Sequence, residues 1–235
     1  NGLTLSVALA FGLALFLALA MLRQGTLWST PVSGGFYEVF PHNLMVSLFA
    51  PIFVFAVLAL ALGVRRFWRD VTPATSGANL TSPAAAEAAH AALRLKYLDG
   101  GHGEGCHNED DAWTHARRRY HHLTFYGFML CFAATSVATL YHYVLGWPAP
   151  YDLTTLPKLL GVIGGVSLAV GTAGLWRLNL RRHPEHGDAA QKPMDRGFIA
   201  LLFLVSVTGL LLWLLGATAA MPLMLAVHLG AVMAL

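Results

Sequence analysis

The stretch Arg117–Tyr143, RRRYHHLTFYGFMLCFAATSVATLYHY, decides how this chain is read. Three arginines open it and two histidines follow, His121 and His122. The rest runs without a charged residue to His142, set between two tyrosines. About 20 apolar residues suffice for a helix to cross the hydrocarbon core, and the arginines mark the end that stays on the cytoplasmic side. His121 and His142 are three heptads apart. They return to one helical face within roughly 60° and lie roughly 30 Å apart along the axis. Imidazoles at two depths of one helix suit a membrane cytochrome. The plainer alternative is a pair of interfacial histidines at helix ends.

Composition agrees with a membrane setting. Of 235 residues, 56% are hydrophobic and 11% charged, and the mean hydropathy is +0.58. Soluble domains average about 25% charged residues, so a soluble fold is excluded. The two cysteines, Cys106 and Cys131, predict no disulfide framework. They are also too few for a four-cysteine iron–sulfur site within these residues.

Working outward, six spans are expected. Leu3–Leu22 is the first, without the basic n-region and cleavage site of a signal peptide. Phe36, Tyr37 and Phe40 then form an interfacial aromatic group before His42 and the second span, Leu44–Val64, which contains Pro51. The third span is the opening stretch. The fourth runs from about Leu156 to Leu175, and its GVIGGVSLAVGTAG leaves room either for close helix packing or for a porphyrin edge. The fifth runs from about Gly197 to Leu215, and the sixth follows Pro222 and carries His228.

The polar residues 65–120 form a loop expected to hold one short helix, with Ser82 as N-cap, Pro83 at the first position and Gly100 or Gly101 at the end. Beyond it, His102, Cys106 and His107 lie in a glycine-rich turn that lacks paired metal-ligand spacing and reads as a solvated or docking loop. The fold class is therefore all-α: a polytopic membrane helical bundle of six transmembrane helices, with a cytoplasmic loop bearing a short helix. Residues 1–235 are expected to form one cytochrome b-like domain. Asn1 and Leu235 both adjoin apolar runs, so a fragment of a longer polypeptide is expected.

Charge sets the orientation. Of 15 Lys and Arg, eight lie between Arg65 and Arg119 and five between Arg177 and Arg196, leaving only Arg23 and Lys158. That asymmetry places both large loops, and both ends of these residues, in the cytoplasm. His42, His142 and His228 then fall toward the outer side, and His121 and His122 at the inner face. A buried intramembrane imidazole is a functional candidate by default. His142 with His228 is the expected outer haem pair, with His42 as competitor or as a quinone or propionate contact. For His228, a hydrogen bond to a Ser, Thr or carbonyl of another helix is the simpler reading. His121 or His122 would need an inner partner, expected beyond Leu235.

The segments FYEVFPHN, RLKYLDGG, Arg117–Tyr143 and LAVHLGAV resemble the tricarballylate-utilisation protein B family. That family is also called the citrate-utilisation B type and is similar to the C-terminal half of CobZ. The resemblance implies a haem b membrane domain, with one or two haems, that follows an iron–sulfur region holding [4Fe-4S] clusters. It implies a partner flavoprotein dehydrogenase for tricarballylate, citrate or a related compound, electron delivery to membrane quinone, and a bacterial inner membrane location. The ligands it implies fall on His142, His228, His121, His122 and His42. Lipid is an expected neighbour and nucleic acid is not.

The chain itself would be the quinone-reducing, electron-transfer component of an oxidoreductase system. The competing classes are a membrane di-iron oxygenase or desaturase, suggested by HPEH at His183 and His186, a transporter, and a passive anchor.

Overall fold

Helix α4 (Ala116–Tyr143) matches the opening stretch almost residue for residue. It ends for a local reason: Gly146 takes φ +67°, and the Trp147 N–H closes back on the Tyr141 carbonyl at 2.9 Å. This left-handed glycine cap satisfies carbonyls that a helix end otherwise leaves open. The computed structural model describes residues 2–30, 35–72, 81–98, 114–182 and 188–235. Among these the chain is helical, with no strand. The helices are α1 (Gly2–Gln24), α2 (His42–Val71), α3 (Ser82–Leu93), α4, α5 (Leu156–Arg181), α6 (Lys192–Leu215) and α7 (Met221–Ala234), with short 3₁₀ turns at Phe36–Glu38 and Lys96–Leu98.

Five of the six expected spans are long and apolar enough to cross a membrane: α1, α2, α4, α5 and α6. The sixth, α7, is apolar but has 14 residues, about 21 Å of helix. Helix α2 outlasts the expected Leu44–Val64 and includes Arg65, Arg66 and Arg69. Helix geometry persists past the apolar run until Thr72, which precedes Pro73 and takes an extended backbone. The loop helix also departs from expectation. Its N-cap is Thr81, whose Oγ1 accepts from the Ala84 N–H at 3.4 Å, and Ser82 is already helical. It stops at Leu93, because Leu95 turns to φ +47° well before Gly100. Gly100, Gly101, His102, Cys106, His107, His183 and His186 lie outside the described residues.

The chain divides into two compact units. One, Phe40–Arg94, contains α2 and α3, neither with a buried residue. Phe53, Phe55 and Leu60 of α2 all stand exposed, and a helix apolar all round suits a lipid solvent.

The other unit, Asn1–Val39 with Leu95–Leu235, holds the remaining helices. Here α4 packs on α5, α5 on α6, α6 on α7 and α7 on α1. Without a hydrophobic force between helices in lipid, small residues govern such contacts. A Cβ added at Gly127 of α4 would lie 2.6 Å from the Leu168 backbone nitrogen, and one at Gly164 of α5 would lie 2.8 Å from the Gly127 carbonyl oxygen. Gly164, Gly171 and Gly174 of the fourth span thus serve packing, because α4 itself occupies the space they leave, while Gly165 is filled by Leu210 of α6. The α1–α7 contact repeats the device at Gly12 and Gly230. Its flanks are sealed by Phe16, Ala20, Leu225 and Ala226, all at most 2% exposed.

Candidate functional site

His228 lies midway along α7, in the run LMLAVHLGAV, and packs on α6. Thr208 of α6, 5% exposed, places its Oγ1 3.0 Å from His228 Nδ1. Gly209 provides the space: a Cβ there would come 3.0 Å from His228 Cε1. A hydroxyl–imidazole bond between membrane helices contributes about 0.6–1.7 kcal/mol. It satisfies one ring nitrogen.

Thr208 lies on the fifth span, where the sequence alone assigns no site residue. The available signal was Ser206-Val-Thr208-Gly209, the polar interruption of an apolar run. Both Ser206 and Thr208 are buried.

His142 occupies the last turn of α4 in an aromatic setting. Its ring lies 4.9 Å from that of Tyr143 and 6.5 Å from that of Tyr37, both edge-on. Tyr37 belongs to the 3₁₀ turn Phe36–Glu38, which the end of α1 holds in place. Arg23 Nε donates to the Val39 carbonyl at 2.9 Å, and Gln24 Nε2 donates to the Glu38 carbonyl at 3.0 Å. The same turn packs against α7. Burial, with the Tyr151 and Tyr143 phenols nearby, pushes the Tyr37 phenol up, so it remains protonated at neutral pH. Among the described residues no hydrogen bond or ring contact joins His142 to His228, and α5 and α6 intervene in the packing order.

The inner candidates are placed differently. His122 stacks on Tyr126, one turn along its own helix, at 5.9 Å and 16°. His121 sits beside Arg117, and Arg117 near Arg182 at the end of α5. Arg117 Nε is buried without a hydrogen-bond partner among the described residues. His42 opens α2 and belongs to the other unit. No group of three or more His, Cys, Asp or Glu able to hold a metal ion occurs among the described residues. Cys131 is a free thiol that faces α5, with its Sγ 2.9 Å from a Cβ placed on Gly164.

The fold and these sites define a multi-pass helical membrane protein with isolated imidazoles on its spans. The family model described as Citrate utilization protein B matches residues 1–235, and the chain belongs to that family. Citrate utilization protein B of Escherichia coli is 56% identical over 235 residues, covering all of this chain and 61% of that protein. The chain thus spans about three fifths of the curated relative's length. No solved structure matches it.

Proposed function

We propose that this chain is the membrane electron-transfer part of a citrate-utilisation system. It would accept electrons from a flavoprotein dehydrogenase of the tricarballylate or citrate type, by way of [4Fe-4S] clusters outside these residues, and deliver them to quinone. Its resident cofactor would be haem b, with His228 and His142 as ligands, in a bacterial inner membrane with both ends of these residues in the cytoplasm.

The observation that carries the reading is His228. It is an imidazole on a wholly apolar helix, held through one nitrogen by a buried hydroxyl, and among the described residues it belongs to no group of three or more His, Cys, Asp or Glu able to hold a metal ion. Isolated neutral imidazoles fit the axial ligation of a haem iron, whereas a non-haem iron site needs more protein ligands in one place. When bound, haem b supplies a one-electron carrier inside the membrane.

The protein's own residues orient and insulate. Thr208 holds the His228 ring through Nδ1, and Gly209 admits it. The turn carrying Tyr37, held by Arg23 and Gln24, packs an aromatic edge against His142. His42 serves this reading as a quinone or propionate contact, and His121 or His122 as ligand of a second, inner haem.

The test is a dithionite-reduced minus oxidised absorption spectrum of the detergent-purified full-length protein. Haem b bands are expected, with most of the signal lost in His228→Ala and in His142→Ala. Haem-free protein that is well folded and cofactor-supplied would reject the reading.

A further inference from the structure

The geometry points to Thr208 as a positioning residue that holds the proton of His228 on Nδ1, so that Nε2 is the nitrogen offered to a metal. This inference rests on the haem reading above and deepens it.

A threonine hydroxyl has one proton to donate and lone pairs to accept with. Thr208 Oγ1 donates to the Leu204 carbonyl at 2.7 Å, with the Val205 carbonyl at 3.2 Å as a second, longer acceptor. Both carbonyls lie on its own helix, in the back-bonding pattern usual for Thr inside a helix. Having spent its proton there, the oxygen faces His228 Nδ1, 3.0 Å away, as an acceptor. A neutral imidazole has one N–H, so that proton is on Nδ1 and the lone pair is on Nε2.

Steric placement agrees. The ring edge at Cε1 rests against bare backbone at Gly209, where any side chain would displace it. Thr208 and Gly209, adjacent on α6, therefore set both the proton and the position of a residue twenty positions away. Metal-ligating histidines characteristically donate their second N–H to an oxygen, usually of a carboxylate, a backbone carbonyl or water, and here a threonine hydroxyl takes that place. The partner fixes the tautomer and raises ligand basicity, and its loss weakens metal binding by 10–100-fold.

The experiment uses the full-length protein in detergent and follows the rate at which haem passes to excess apomyoglobin. Thr208→Val is expected to release haem about 10–100-fold faster than the unaltered protein, and Thr208→Ser to release it at the original rate. Equal rates for Thr208→Val and the unaltered protein, alongside loss of haem in His228→Ala, would overturn the role of Thr208 while leaving the haem reading intact. Full haem retention in His228→Ala would instead remove His228 as ligand. Solid-state nuclear magnetic resonance of ¹⁵N-histidine-labelled, unaltered protein judges the proton directly, with His228→Ala identifying the signal. Protonation at Nδ1 is the expected result, and protonation at Nε2 overturns the inference whether or not Thr208→Val folds.

Discussion

Between α4 and α5, glycines bring backbone onto backbone, whereas between α6 and α7 a glycine makes room for an imidazole. A buried threonine bonds back to its own helix in each of α5 and α6: Thr172 to the Leu168 carbonyl at 2.7 Å, and Thr208 to the Leu204 carbonyl at 2.7 Å. Thr172 is fully buried in α5. At Thr208 a histidine of the neighbouring helix meets the same oxygen. The difference teaches what each seam is for. In lipid, where apolar side chains gain little by leaving their solvent, the first seam holds by close approach alone. The second gives up some of that closeness to keep a polar ring at a set position.

The largest effect is expected from Gly164→Leu. Its side chain would strike the Gly127 carbonyl and the Cys131 thiol. Overpacking of a close contact costs about 1–3 kcal/mol, and backbone cannot yield as a flexible side chain does. Thermal unfolding in detergent should show the loss, with earlier maleimide labelling of Cys131 in a Cys106→Ala background. Unchanged unfolding would mean that the first seam is loose and the contrast between the seams is false.

Gly209→Ala tests the second seam and should act more locally. The added methyl would meet His228 Cε1 at 3.0 Å, and about 1 kcal/mol is expected, at the low end for overpacking. On the haem reading proposed above, haem content should fall by more than that small loss of stability explains, since the ring must turn away from Thr208. A parallel, proportionate decline in stability and haem would make Gly209 a packing glycine like Gly164.

The smallest effect belongs to Tyr37. Tyr37→Ala removes an edge contact to His142, worth about 0.5–1.5 kcal/mol. Tyr37→Phe keeps the ring and should stay within about 0.5 kcal/mol of the original. A large loss in Tyr37→Phe, read in the same unfolding measurement, would assign the hydroxyl a part that the ring contact does not explain.

Local, one-dimensional features are legible in the residues alone. Hydropathy, measured against bilayer thickness, marks the spans. Gly146 ends α4, and the lysine and arginine asymmetry indicates an orientation. His228 stands out because any imidazole in an apolar run does. Some local details still needed coordinates. Thr81 took the cap from Ser82, since the helix began one residue earlier, and Leu95 broke the loop helix at a residue with no turn signature.

Coordinates were needed to know which helices are neighbours, that Gly164, Gly171 and Gly174 of the fourth span are filled by α4, and that Thr208 meets His228. The reason is geometric. A bond between helices depends on the rotation of each about its axis and on its depth beside the other. Those two quantities are set by the sum of all contacts along the seam, and no residue pattern within one helix carries them.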